Sequence, residues 1–180
     1  SYCGIDNMEA IIKANALCNM YGMDTISCGA TISWAMEAWK EGKLTAEDTG
    51  GLELNYGDAE MMVRLTEMIG KREGFGDLLA EGSAMAAKKI GRGTEDYLIT
   101  SKGQEAPAHM PQVKRSLSII YAANPFGADH MSSEHDPSYK SYPERMSYIG
   151  LDNPQPKLAL NEEMMRFVTV TQHLYSALDS

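Results

Sequence analysis

The sequence is poor in several features that mark particular protein classes, and each shortage excludes one of them. Its three cysteines are widely spaced and odd in number, which argues against a complete disulfide framework and against a Cys-x-x-Cys motif. It has no apolar run of the roughly 20 residues that a membrane helix needs, and no signal peptide at its start. We therefore expect a cytoplasmic protein without a membrane segment, in which Cys18 and Cys28 are small buried residues.

Positive charge is also scarce. The chain carries 16 lysines and arginines against 25 aspartates and glutamates, which gives a formal net charge of −9. Proteins that bind nucleic acid concentrate basic side chains on one surface. Here the densest basic spots are the isolated pairs Lys88–Lys89 and Lys114–Arg115, which are typical of solvated helix surfaces. Nucleic acid is therefore not expected as a partner.

Apolar residues in the first half recur every three or four positions, which is the period of an amphipathic helix. Asp6, Asp24 and Asp58 stand before such patterns and are predicted to cap helices, because a carboxylate there accepts hydrogen bonds from the first helical turn. Gly22 is predicted to end the first helix. The polar, glycine-containing segment 45–56 is predicted to be a loop.

Proline divides the chain, because all seven prolines lie in its second half. The character changes near residue 94, where a short β-like stretch leads into loop-rich sequence. A long helix is predicted from about Lys157 to the end. We predict an all-α, multihelical protein made of two small helical subdomains, 1–98 and 99–180.

Two histidines and three carboxylates lie within the eight residues 129–136. Loops on a rigid scaffold often carry functional residues, and an imidazole with a pKa near about 6.5 can transfer protons or bind a metal. However, the spacing of five between His130 and His135 fits no helical zinc pair. A polar loop with a hydrogen-bonded histidine therefore stays an alternative.

The segment 105–111 places Glu105 and His109 between stiffening prolines. It can line a pocket, or it can be a rigid connector between domains. His173 lies off the apolar stripe of the last helix and is expected at or near the surface.

The turn between the first two predicted helices presents backbone groups together with the small polar side chains of Asn19 and Asp24. This arrangement suits hydrogen bonding to a polar heterocycle. The alternative is a plain connection between helices in which Asp24 is only a cap.

Five segments follow one another along the chain: 3–11, 18–32, 72–82, 102–108 and 123–130. Together they resemble the aldehyde:ferredoxin oxidoreductase family. The resemblance implies the helical C-terminal domains of that family, in which tungsten or molybdenum is held between two pterins next to a 4Fe-4S cluster. It also implies oxidation of aldehydes to carboxylic acids, with ferredoxin as the electron acceptor and with a homodimer as one expected assembly.

The resemblance assigns the first pterin-binding motif, D-x-x-G-L-(D/C), to residues 19–24. Asn19, Gly22, Met23 and Asp24 are the implied pterin contacts, with Asn19 in place of the family's aspartate and Met23 in place of its leucine. Asn19 keeps hydrogen-bonding capacity but carries no charge.

The resemblance also assigns Asp179 to the start of the second pterin motif and His130 to the catalytic histidine. His130 would hydrogen-bond a metal oxygen ligand or the substrate carbonyl, or it would shuttle a proton. Met110 and Phe126 depart from the family pattern, so the substrate stays open within small aldehyde-type molecules.

The family's cluster cysteines and its N-terminal β-rich domain have no counterpart in these 180 residues. We therefore expect a piece of a longer enzyme, inactive in isolation and without bound cofactor or metal. Two alternatives remain. One is a helical scaffold that has lost catalysis, and the other is a metal hydrolase built on Asp129, His130, His135 and Asp136.

Overall fold

The computed structural model describes residues 2–136 and 138–178. The fold is 57% helical, and its described part holds ten α-helices, one 3-10 helix and one two-stranded sheet. The prediction of an all-α, multihelical protein is confirmed. In the described part of the chain, no helix is long and apolar enough to cross a membrane.

The chain forms two compact units, Ser1–Ala106 (unit 1) and Pro107–Ser180 (unit 2). The predicted subdomains, 1–98 and 99–180, place the boundary just before the small hairpin. Their assignment to separate functional sites stays a prediction.

Unit 1 contains six α-helices, a 3-10 helix and the hairpin. These are α1 (Met8–Tyr21), α2 (Thr25–Lys40), α3 (Ala46–Thr49), α4 (Ala59–Lys71), α5 (Phe75–Leu79), α6 (Ser83–Ile90), the 3-10 helix Thr94–Tyr97, β1 (Thr100–Ser101) and β2 (Gln104–Glu105). The strands are antiparallel, and Thr100 pairs with Glu105.

The core of unit 1 lies between α2 and the helices that pack around it. Ile32 and Met36 of α2 and Leu65 of α4 are almost completely buried. Trp34 is also buried, and its indole Nε1–H donates to the carbonyl oxygen of Thr94 at 3.0 Å. The polar edge of this ring is therefore satisfied while its apolar body adds to the core.

Helix caps follow the predicted residues at two of three positions. Asp24 Oδ1 accepts from the Ser27 amide at 2.6 Å, and Asp58 Oδ1 accepts from the Met61 amide at 2.9 Å. The prediction for Asp6 was wrong, because Asn7 directly precedes α1 and its Oδ1 accepts from the Ala10 amide.

Two further sequence predictions about element bounds need correction. The predicted loop 45–56 contains the short helix α3, in which Thr45 and Asp48 form a reciprocal capping box. The final helix begins at Glu162 rather than near Lys157, because Asn161 Oδ1 accepts from the Met164 amide at 2.9 Å and caps it.

Unit 2 contains four α-helices in its described part: α7 (Arg115–Ala123), α8 (Ser138–Ser141), α9 (Pro143–Tyr148) and α10 (Glu162–Leu178). Its core forms where α10 packs on α7, with Phe167 and Leu117 fully buried. The Phe167 ring stacks on Tyr139 of α8, with ring centroids 4.6 Å apart. Long irregular segments connect these helices.

Candidate functional site

The turn between α1 and α2 is fixed at both ends by helix-terminal hydrogen bonds. The amide of Met23 donates to the carbonyl oxygen of Cys18 at 2.9 Å, which closes the end of α1. Gly22 has a φ of 68°, in the left-handed region that glycine adopts without a steric penalty. A Cβ at Gly22 would meet nothing within 4 Å, so there is room for a side chain. Glycine is favoured there by the backbone conformation alone.

A cavity of about 360 Å³ opens beside this turn within unit 1. Of the predicted contact residues, Gly22, Met23 and Asp24 line it. Asn19 does not; it lies exposed on the last turn of α1. Asp179 lies outside the described residues. The remaining walls come from α2, α4, α5 and the segment after it: Ser27, Cys28, Thr31, Ile69, Gly70, Arg72, Leu79, Ala80 and Gly82.

Arg72 brings a positive charge to the cavity wall. Its guanidinium Nε–H donates to Asp77 Oδ1 at 2.8 Å, and a second nitrogen contacts Glu81. These contacts are exposed, so they orient the side chain more than they stabilise the fold. The cavity therefore combines an oriented cation with the Asp24 carboxylate.

Glu105 serves the structure of unit 1 through a buried network. One of its carboxylate oxygens accepts from Thr31 Oγ1 at 3.1 Å and from both the amide and the hydroxyl of Ser83 at 2.7 Å. The carboxylate thereby joins β2 to α2 and to the start of α6, which lacks a local side-chain cap. Segment 105–111 was predicted either to line a pocket or to be a rigid connector. These hydrogen bonds favour a rigid structural role for Glu105.

The three cysteines are buried and free, and burial was predicted for Cys18 and Cys28. They line a second, mostly apolar cavity of about 210 Å³ in unit 1. Burial raises the pKa of Cys3 to about 11 and of Cys28 to about 12. Both are therefore neutral thiols near pH 7, poor nucleophiles and poor metal ligands.

Three of the four histidines form a cluster in unit 2, which we call the imidazole cluster: His109, His130 and His135. The ring centroid of His109 lies 4.8 Å from each of the other two, and those two are 5.9 Å apart. Nε2–H of His135 donates to the carbonyl oxygen of His130 at 2.8 Å, since a carbonyl can only accept. Burial lowers the pKa of His109, and the charges of His135, His130 and Lys114 lower it further.

The carboxylates of the 129–136 loop are directed into structural hydrogen bonds. Asp136 is buried and accepts from the amide of Ser116 at 3.1 Å and from its hydroxyl. Glu134 is buried, pairs with Arg145 and accepts from Ser138 Oγ at 2.6 Å.

Asp129 accepts from the Met131 amide at 2.9 Å and from Ser132 Oγ, within the same loop. Among the residues that the structure describes, no group of three or more His, Cys, Asp or Glu is arranged to hold a metal ion.

The sequence singled out the 129–136 loop and the α1–α2 turn, but it did not identify the residues that pack around them. It did not join His109 to His130, because the contact depends on tertiary structure; the only signal was that three of four histidines fall within 109–135. Met110 and Phe126, which depart from the family pattern, are 61% and 59% exposed. His173 is exposed, as expected.

Comparison with known proteins gives a consistent family. A family model described as aldehyde ferredoxin oxidoreductase, domains 2 & 3, matches residues 1–180. The chain is 35% identical over 180 residues to the tungsten-containing aldehyde ferredoxin oxidoreductase of Pyrococcus abyssi. It is 33% identical over 178 residues to the protein of that name from Pyrococcus furiosus. Each match covers 98% of this chain but 28% of the relative.

A different named relative matches a shorter stretch. The chain is 35% identical over 136 residues to an aliphatic sulfonate oxidoreductase, WOR-like subunit, of Pyrococcus furiosus, which covers 72% of this chain and 22% of that protein. Related chains thus carry names that refer to two different substrates.

Proposed function

The chain belongs to the aldehyde ferredoxin oxidoreductase family, and from that membership we propose that it forms part of a tungsten–pterin enzyme that oxidises aldehydes to carboxylic acids. The observation that carries the proposal is the family match over residues 1–180. The metal–pterin group supplies the two-electron oxidation when bound, and this chain's residues bind, orient and handle protons.

The cavity beside the α1–α2 turn supports a pterin as its ligand. Its volume of about 360 Å³ is in the range of small-molecule sites. The Asp24 carboxylate offers acceptors for the N–H groups of a heterocycle. The Arg72 guanidinium has five N–H donors, and those beyond the contacts with Asp77 and Glu81 suit a phosphate oxygen. The chemistry of the wall therefore fits a phosphorylated pterin.

We propose Gly22, Met23 and Asp24 as pterin contacts from the wall of this cavity. Asn19 is proposed as a further contact from the exposed end of α1. Asp179 stays a proposed contact for a second pterin on the basis of the family motif.

We propose His130 as the catalytic residue. Its ring is half-buried in an irregular loop, and the His135 hydrogen bond to its carbonyl oxygen restrains the backbone that carries it. A neutral imidazole there can donate to a substrate carbonyl oxygen, which polarises it, or can accept a proton from the attacking water.

Other parts of a longer protein are proposed to complete the enzyme. The buried thiols of this chain are unsuited to ligate a cluster, so we propose that cysteines elsewhere hold a 4Fe-4S group. A ferredoxin-type protein is the proposed electron acceptor, and a cytoplasmic homodimer is the proposed assembly. By itself, the 180-residue chain is proposed to fold without tungsten and without aldehyde oxidation.

The pterin assignment is tested by cofactor content in the full-length protein that contains this chain. Asp24→Asn keeps a cap for α2, because asparagine caps about as well as aspartate, but removes the carboxylate from the cavity. Asp58→Asn makes the same change at α4 and is the matched control. We expect tungsten and pterin per protein to fall several-fold in Asp24→Asn only. Equal content in both variants would remove Asp24 from the site.

The catalytic assignment is tested by His130→Gln in the same protein. We expect a loss of aldehyde oxidation of at least about 100-fold, as for other acid–base residues, at unchanged tungsten content. His173→Gln is the control, since His173 is exposed on α10. Full aldehyde activity in His130→Gln would contradict the assignment. Preferential turnover of a sulfonate over aldehydes would contradict the proposed aldehyde substrate but not the proposed role of His130.

A further inference from the structure

The imidazole cluster brings one half-buried histidine together with two others that the family motif does not assign. His109 reaches it from the segment before α7, and His135 lies five residues after His130. All three rings are half-buried, so they are partly shielded from water yet not sealed from it. The ring centroids are 4.8–5.9 Å apart, so the three rings are direct neighbours.

We propose that His130 takes a proton at the substrate and passes it to His109, while His135 fixes the backbone that carries His130. His109 therefore acts through His130, and His135 is a positioning residue. The inference rests on the proposed function of His130, but the coupling between the rings is a property of this chain alone.

His135 has a distinct part, because its Nε2–H is committed to the carbonyl oxygen of His130 at 2.8 Å. That bond survives whether His135 is neutral or protonated, since Nε2 carries a proton in both states. It ties the two ends of a short loop together. His135 therefore holds the backbone of His130.

Electrostatics favours sharing of a single proton. Two positive rings at these separations repel each other, so the first proton disfavours the second. Lys114 adds a further positive charge beside His109. The carboxylates nearest in sequence, Asp129, Glu134 and Asp136, are engaged by Ser132, Arg145 and Ser116 respectively.

Aldehyde oxidation supplies protons for such a relay to carry. Conversion of an aldehyde and water into a carboxylate releases three protons and two electrons, and the proposed ferredoxin-type carrier takes the electrons. As the water oxygen bonds to the carbonyl carbon, the C=O π pair moves to the carbonyl oxygen, one water O–H bond breaks and that proton moves to a ring nitrogen of His130. The other two protons come from the remaining water O–H bond and from the C–H bond, whose bonding pair is the two electrons. Transfer to His109 returns His130 to its neutral form, and His109 releases the proton to solvent.

A metal ion is a weaker interpretation of the same three rings. In the described part of the chain, no histidine-containing group has the arrangement of a metal site. The Nε2 of His135 is also occupied by a carbonyl oxygen.

The coupling is tested by NMR titration of histidine ¹³Cε1 in the full-length protein, with signals assigned by single replacements. We expect His109 to titrate below the ordinary histidine range, and its midpoint to rise in both His130→Gln and His135→Gln. The control His173→Gln should leave it unchanged. A His109 midpoint that neither replacement moves would overturn the proposal, whether or not the protein holds its cofactor.

Kinetics supply the second readout. We expect His109→Gln to lower kcat about tenfold with little change in KM, since only a step after binding is affected. Imidazole added to the buffer should restore part of the rate, which a purely structural defect would not allow. Unchanged kcat in His109→Gln, alongside inactive His130→Gln, would remove the relay and leave the proposed function standing.

Discussion

The two units position their candidate functional groups by different means. In unit 1, backbone geometry at the end of α1 and the start of α2 presents Gly22, Met23 and Asp24 to a cavity. In unit 2, the candidate groups are side chains of an irregular loop, and buried carboxylates hold that loop in place. Backbone geometry suits a ligand that must be held still, whereas imidazole side chains suit a group that gains and loses protons.

The two units are therefore sensitive to different kinds of replacement. Unit 1 depends on close packing of helices, so an added methyl group in the wrong place shifts the walls of its cavity. Unit 2 depends on satisfied buried polar groups, so loss of one acceptor leaves its donors without a partner. Four experiments sharpen this contrast.

The largest effect is expected for Gly76→Ala in unit 1. A Cβ at Gly76 would lie 2.3 Å from the backbone carbon of Met68, so α5 must move away from α4. We expect a loss of about 3 kcal/mol in the free energy of unfolding. Trp34 and Trp39 both lie on α2, so urea unfolding followed by tryptophan fluorescence monitors unit 1.

Gly29→Ala is the matched control for that replacement. Its Cβ would meet only a side-chain atom of Tyr2 at 3.5 Å, an ordinary contact, in the middle of α2. Because alanine favours helix over glycine by up to about 1 kcal/mol, we expect unchanged or increased stability. If both replacements cost the same, close packing does not define unit 1.

The next effect is expected for Asp136→Asn in unit 2. The amide group would place a donor against the hydroxyl of Ser116 and remove a charge-assisted bond from a buried site. We expect a loss of about 2 kcal/mol. Hydrogen exchange of the α7 and α10 amides measures it. The control is Asp152→Asn, an exposed aspartate that also accepts from a serine hydroxyl and should cost far less.

A smaller effect separates capping from ligand binding at the α1–α2 turn. Asp24→Ala removes the acceptor for the Ser27 amide and should cost about 1 kcal/mol of unit 1 stability. Asp24→Asn should cost only a few tenths of that amount, as asparagine is also a good cap. Tryptophan fluorescence again provides the measurement. Equal losses would mean that the carboxylate charge itself stabilises unit 1.

The smallest effect is a pH dependence of unit 2. Burial lowers the pKa of His109 in the folded state from the ordinary histidine value of 6.5. At pH values below 6.5, the unfolded chain therefore binds a proton at His109 more readily than the folded chain does. Stability from this group is therefore complete above that value and is lost as the pH falls towards the folded pKa. Hydrogen exchange of α7 and α10 at several pH values should show this slope, and His109→Gln should reduce it.

Local rules predicted much of unit 1 and little of unit 2. Asp24 and Asp58 were found because a cap acts over three residues, and the sequence displays that spacing directly. The helix α3 was missed because a four-residue helix leaves no apolar period. The approach of His109 to His130 was missed because it depends on how unit 2 folds. The family motif identified Asn19 by position, but it did not indicate whether that side chain lines the cavity.

The proposed pterin site at the α1–α2 turn is open to direct observation. The most direct test is a crystal structure of the full-length protein purified without oxygen, with anomalous scattering recorded at a tungsten edge. We expect a pterin heterocycle within hydrogen-bonding distance of residues 22–24. Protein packed into that cavity, with the tungsten and both pterins bound elsewhere, would contradict it.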